Sequence, residues 1–309
     1  MEVNGYRIES GVDLTGADLV GADLQNADLR NADLTNANLQ KANLNGADLR
    51  GARFHTGNGL IKHFGEVPRD PEGLGCVDLK GADLRNADLR DSHLFHIDLS
   101  DADLRGIKMT KARTRHSKRP TSFSSVNFEN AVLTDLDFSG MNDVDLSCVN
   151  FTKADLRGAT FEKSYLIKPI FDKANLEGAN LRKSHHGYSA KFVGANLTDA
   201  DLSGTFLHSA DFQKANLTRT SFKGKRFAKG HYDRAWDDSG ITVLKEANFK
   251  KANLTDADFR KTLCILANFD GVDLSGADFS DANLYFTSLR GTNMALAKTD
   301  KTNLGEATF

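Results

Sequence analysis

Carboxylates recur every five residues near the start of this chain, at Asp13, Asp18, Asp23, Asp28 and Asp33. Rows of paired carboxylates are the raw material of general acid–base catalysis, so the spacing invites an enzymatic reading. Asn38, Asn43 and Asn196 fill the same place in the pattern, and an amide cannot do that proton chemistry. Interchange of Asp with Asn therefore argues for a structural role. The histidines raise a metal reading: His93 and His96 are three apart, His185 and His186 are adjacent, and His231 precedes Asp233, Asp237 and Asp238. None of these sets has cysteines or carboxylates at ligand spacing, and the cluster after His231 comes nearest. No Gly-x-Ser-x-Gly, Walker loop or Cys/His pair in a catalytic context is present. The expectation is a protein that is not an enzyme, with no catalytic residues, no metal and no cofactor.

Two clusters suit binding rather than catalysis. Lys111, Arg113, Arg115, Lys118 and Arg119 form a basic run able to grip phosphate or an acidic partner. The run has no interleaved aromatics with which to stack bases, so direct nucleic-acid binding is not expected. The second cluster, His231, Tyr232, Arg234 and Trp236, holds the only tryptophan, in a polar stretch where no core requires it. Such a tryptophan either folds back onto the body of the protein or anchors a partner.

The elements that must carry these clusters follow from a period of five. From Leu14 to Leu49 the chain repeats Ala/Val-Asp/Asn-Leu-x-x, centred on every fifth residue. Five matches neither the 3.6 of a helix nor the 2.0 of a flat strand. Self-similarity at a short fixed period means a solenoid, whose units touch only their neighbours along an axis. If each unit is a short extended side, the central Leu/Phe and the small residue two before it point inward. The Asp/Asn between them then points outward, and the next two residues make a corner. Phe recurs at twenty: Phe151 with Phe171, Phe192 with Phe212, Phe249 with Phe269, Phe259 with Phe279. Twenty is four sides of five, so the expected cross-section is a square.

Units such as Ala47-Asp48-Leu49-Arg50-Gly51, Ala154-Asp155-Leu156-Arg157-Gly158 and Ala277-Asp278-Phe279 resemble those of the pentapeptide repeat family. The resemblance implies an all-β right-handed quadrilateral β-helix of ~12 coils, with coils at the ~4.8 Å spacing of paired strands. The expected organisation is one solenoid over residues 1–309, with an N-terminal cap at 1–11 and insert loops at 55–75, 110–121 and 228–246. A register jump of three falls around Gly140-Met141-Asn142, and the bulky inward residues Ile97, Ile107 and Leu136 suggest widened coils there. Insertions in repeat folds leave as loops, where binding surfaces commonly sit.

Net charge is −2, unevenly spread. Residues 1–109 hold 12 Lys+Arg against 18 Asp+Glu, and residues 110–121 hold 5 against none. The rest is nearly neutral. Cys76, Cys148 and Cys264 are too far apart for a disulfide framework or a zinc signature, which points to the cytoplasm. The first residues are too polar for a signal peptide, and no run reaches membrane-spanning length, so no membrane partner is expected.

The resemblance implies a non-catalytic protein. Its best-understood branch imitates duplex DNA in shape and charge and protects DNA gyrase, which requires a sustained acidic face. A basic run and neutral later coils make a poor decoy, so the favoured expectation is a rigid scaffold for protein–protein interaction, with DNA mimicry as the alternative. Repeat units reach Phe309, which leaves Met294, Leu304 and Phe309 at an open end of the core. The expectation is that this end is covered, most simply by a second copy in a homodimer, with docking onto a different protein as the competing reading; light scattering over a concentration series reads the dimer, and Leu304→Glu should abolish it.

Overall fold

The computed structural model describes residues 1–54, 77–90, 97–99, 102–108, 126–138, 146, 148–164, 166–184, 187–225 and 240–309. Contacts divide the chain into two units, Met1–Phe128 and Glu129–Phe309, each considered by itself.

The local element is a turn. Leu14 accepts a hydrogen bond from the Ala17 amide at 3.0 Å, closing four residues whose third, Gly16, is left-handed at φ 68°. Only that third residue has positive φ, the signature of a type II turn. The same turn recurs at Leu19, Leu24 and Leu29, with Gly21, Asn26 and Asn31 in the left-handed place. Between turns the chain is extended for about three residues, too short for conventional strands. Pairing is therefore mostly single parallel bridges.

Those bridges fix the shape. In the first unit Asp13, Asp18, Asp23 and Asp28 pair in parallel with Asp33, Asn38, Asn43 and Asp48. Four five-residue sides thus close one coil, and the next coil lies one strand spacing further on, as the period predicts. Ala17, Leu19, Ala22 and Leu24 are buried, while Asp18 and Asp23 between them face outward. The chain begins with a hairpin, β1 (Glu2–Val3) antiparallel to β2 (Tyr6–Arg7), turned by Asn4 and Gly5 at positive φ. Ile8 after it is buried, and the Tyr6 hydroxyl accepts from the Asp18 amide.

Interruptions lengthen the spacing without breaking the stack. Asp33 still pairs with Arg53, but Asn38 pairs with Asp78 and Asn43 with Asp83. In the second unit Val132 pairs with Asp155, Ile170 with Lys191 and Ser221 with Asp258. Ile107 and Leu136 are buried, each in the place that Ala takes elsewhere.

One boundary differs from expectation. Residues 240–246, read from sequence as the end of an insert, form part of a coil. β3 (Thr242–Val243) runs parallel to β4 (Thr262–Leu263), and Leu244 is fully buried as a side centre. The unit is disguised because Val243 and Leu263 stand where the repeat most often has Asp or Asn, and both are buried there.

The core of the second unit is a column of rings. Phe151, Phe171, Phe192, Phe212, Phe249 and Phe269 stack in order, with centroids 4.6–5.0 Å apart and planes within 9°. The column passes through two interruptions, since Phe171 stacks on Phe192 and Phe212 on Phe249. A second column, Phe222, Phe259 and Phe279, stands on the opposite side of the coil and meets the first edge-on, as with Phe249 and Phe259 at 5.6 Å and 81°. Offset stacks and edge-to-face pairs are the two favoured aromatic geometries. Leu289 continues the first column buried, whereas Phe309 is 68% exposed.

Phe269→Ala leaves a hole between fixed rungs that cannot collapse, so it should destabilise the fold by about 3–5 kcal/mol in denaturant unfolding. An unchanged midpoint would show that the ring column carries no stability.

Candidate interaction surfaces

Where Asp or Asn fills the outward place it has a local task. The Asp13 carboxylate accepts from the Thr15 amide, Asp23 from the Gln25 amide and Asn43 from the Asn45 amide, at 3.0–3.2 Å. This Asx hydrogen bond satisfies a backbone donor that the short side leaves over, and Asp and Asn serve equally. The interchange seen in the sequence is thereby explained.

Where Arg follows two residues later, the same carboxylate binds it through both oxygens, as in Arg30–Asp28, Arg50–Asp48, Arg90–Asp88 and Arg157–Asp155. The guanidinium also reaches the next coil: Arg30 lies 3.8 Å from Asp48 and Arg50 3.9 Å from Asp88. An ionic zipper thus runs Asp28, Arg30, Asp48, Arg50, Asp88, Arg90 along one side. The Arg30 hydrogen bond holds the Asp28 carboxyl at about 2, below its ordinary 3.8. Arg50 lowers Asp48 in the same way, and at Asp88 burial, the largest single influence, pushes upward but is outweighed by the Arg90 side-chain and backbone hydrogen bonds together with the Arg90 and Arg50 charges. On that side the carboxylates are consequently not a bare anionic face.

On one side of the second unit, Asn196, Asn216 and Asn253 in successive coils build an uncharged net instead. Thr198 and Thr218 donate to Asn196 and Asn216 at 2.7 Å. The Asn216 and Asn253 amides in turn donate to Thr198 and Thr218, linking three coils.

Most residues singled out from sequence lie outside the described residues: Lys111, Arg113, Arg115, Lys118, Arg119, His231, Tyr232, Arg234 and Trp236, together with His93, His96, His185, His186 and Cys76. Among the described residues no group of three His, Cys, Asp or Glu could hold a metal ion, and no helix is long and apolar enough to cross a membrane. Cys148 is exposed, while Cys264 is buried with its thiol pushed up to about 12 by desolvation. At the C-terminal coils Met294 opens a short 3-10 turn, Met294–Leu296, capped by the Asn293 side chain. Met294 and Leu304 are half-buried.

One surface was missed. The left-handed corner place holds Gly, Asn, Asp, Lys, Ser, Arg, Glu or Cys148 everywhere among the described residues except at Leu266 (φ 60°) and Phe286 (φ 56°). A bulky side chain there costs about 1–3 kcal/mol. Both are exposed, with Tyr285 beside them. The signal was legible: Ile265-Leu266 and Tyr285-Phe286 put large apolar residues in the two corner places that elsewhere favour small or polar ones.

The chain matches the family profile described as "Pentapeptide repeats (8 copies)" over residues 17–55, 74–113, 145–182, 190–224, 242–263 and 265–295. No curated protein matches it. Among solved structures it is similar to HetL, a pentapeptide repeat protein involved in heterocyst differentiation regulation from the cyanobacterium Nostoc sp. strain PCC 7120. That match has 23% identity and a TM-score of 0.31, and covers 98% of this chain and 91% of that one. It is also similar to QnrB1, a plasmid-mediated fluoroquinolone resistance protein, at 13% identity and a TM-score of 0.30, covering 72% and 84%. Rfr23, from the cyanobacterium Cyanothece 51142, matches at 23% identity and a TM-score of 0.20, covering 58% and 89%.

The zipper sets an acid response. A carboxylate whose folded pKa is depressed contributes stability above its unfolded value and loses it as pH falls through the folded one. Melting temperature should therefore drop between pH 3.8 and about 2, the window given by Asp28. A triple variant, Asp28→Asn, Asp48→Asn and Asp88→Asn, keeps every Asx hydrogen bond but removes the ion pairs, so its drop should be shallower. An identical drop in both proteins would assign the acid response elsewhere.

Proposed function

This chain belongs to the pentapeptide repeat family of right-handed quadrilateral β-helices, and from that premise we propose that it is a non-catalytic rigid scaffold that holds protein partners, in regulation or in an assembly. The observation behind this reading is the ionic zipper. Along one side of the described N-terminal coils the Asp28, Asp48 and Asp88 carboxylates are each bound by an arginine, which replaces a continuous negative stripe there with alternating charge. Polyanion mimicry depends on a sustained negative potential, and exposed pairs of opposite charge cancel it within a Debye length. The stacked rings and coil-to-coil hydrogen bonds instead favour a body that keeps its surfaces at fixed separations. The two cysteines of the described residues are free, in keeping with a cytoplasmic setting.

The second reading, a DNA mimic that protects DNA gyrase, is favoured only by the acidic excess of residues 1–109. Two measurements separate the readings. Titrated into a gyrase supercoiling reaction poisoned by a fluoroquinolone, the chain should leave inhibition unchanged. Cross-linking in the source cells should capture a defined protein set, and replacing residues 228–239 by a short turn should reduce that set without altering the β-rich circular dichroism. Rescue of gyrase, or no specific cross-link, would reject the scaffold.

A further inference from the structure

Four residues occupy successive coils at one corner of the second unit: Glu246, Leu266, Phe286 and Glu306, all left-handed with φ between 54° and 60°. Their order is fixed by backbone hydrogen bonds, the Glu246 amide to Ile265, the Leu266 amide to Tyr285 and the Phe286 amide to Gly305. Leu266 is 48% exposed, Phe286 51% and Tyr285 38%. The Tyr285 and Phe286 rings touch, with centroids 4.4 Å apart. Tyr285 lies flat on the next coil because Gly305 has no side chain, where a Cβ would stand 2.8 Å from the ring.

The combination is unusual physically. Strained backbone persists where the surrounding structure over-determines it, and here the coil-to-coil hydrogen bonds at the corner do so. Leu266 and Phe286 carry the strain with half their surface in water. Backbone outliers concentrate at ligand clamps, and aromatic side chains dominate the centres of protein interfaces. What lies around the apolar centre defines the occupant. A carboxylate stands one coil away on each side, Glu246 and Glu306, three coil spacings or ~14 Å apart. Glu246 accepts from the Ser209 hydroxyl at 3.1 Å, lies 3.8 Å from His208 and 3.9 Å from Lys245, and is still exposed. Lys261 and Lys301 of the same coils stand at the other corner, across the width of the side.

We propose that this corner docks a short linear protein segment whose two or three apolar side chains are bracketed by basic residues. The proposal rests on the scaffold reading and specifies its partner. An extended segment covers ~14 Å in about four residues, so the basic residues should lie four or five apart. A second copy of the chain fits poorly. A two-fold contact centred between Leu266 and Phe286 sets Glu246 against Glu306, and three side chains cover far less than the ~800 Å² per partner of a standard interface.

The test uses the full chain and two fluorescent five-residue peptides, each with leucine and phenylalanine inside and either lysine or glutamate at both ends. In anisotropy titrations the lysine peptide should bind at least tenfold tighter than the glutamate peptide, and Phe286→Asn should weaken it at least tenfold. Because Asn suits left-handed backbone, Leu266→Asn and Phe286→Asn should each raise the melting temperature. A lowered melting temperature would make these side chains structural and overturn the proposal. So would equal affinities, no saturable binding, or self-association that Phe286→Asn removes. If Phe286→Asn retains the cellular cross-links while the lysine peptide fails to bind the unaltered chain, this site is wrong and the scaffold reading stands.

Discussion

Every fifth residue the chain must turn, and it can turn only by placing one residue in the left-handed region. That requirement controls the rest. It keeps each side too short for continuous strands, so cohesion comes from stacking coil on coil. It also leaves backbone donors at the corners, which the outward Asp or Asn satisfies through its side chain, as Asp13 does for Thr15. Gly, Asn and Asp fill the corner because they tolerate positive φ, whereas the corner Lys residues, such as Lys153 and Lys173, are held there by the turn itself. The inward Ala and Leu then have no choice of face. A five-residue rule thus specifies corner, side and core together, and agreement across levels is what makes a sequence fold to one state.

The architecture was legible because that rule is written in residue types. Four sides followed from Phe at twenty-residue spacing, and Phe249 on Phe269 at 4.6 Å is its direct expression. Stacking across interruptions was harder to read. Phe212 and Phe249 are far apart in sequence, and nothing local announces that they are neighbours. Residues 240–246 were hidden for a different reason. Thr242-Val243-Leu244 keeps the spacing of inward residues but carries Val where the eye looks for a carboxylate. The surface was least legible. Counting charges by segment gave an acidic N-terminal region, whereas the physical face depends on whether Arg sits two places after Asp, a detail that net charge discards. Leu266 and Phe286 stand in corner places that the period already marks as outward, but the period does not say that such a place is left-handed and disfavours bulky apolar residues.

Interruptions are tolerated for an energetic reason. Closing a longer loop costs little: doubling its length adds only about 0.6 kcal/mol. Asn38 therefore still pairs with Asp78, on the side next to the one where Asp13 pairs with Asp33. What an insertion must not do is shift register, since the inward set would then change face. Register is held by the rungs on either side, through hydrogen bonds such as Leu39 to Asp78 at 2.9 Å and through the ring column in the second unit.

The one-coil stagger of those hydrogen bonds has a consequence for how the molecule comes into being. Outside the interruptions each new residue finds its partner only twenty positions back along the chain, however long the solenoid grows. Contacts never span the whole sequence, so the entropic delay that slows most β-proteins does not accumulate with length. A finished coil is a template for the next, and growth can follow the order of synthesis, since a ribosome adds a coil's worth of chain in about 1–4 s at 5–20 residues per second. Each coil can settle while its successor is still being made.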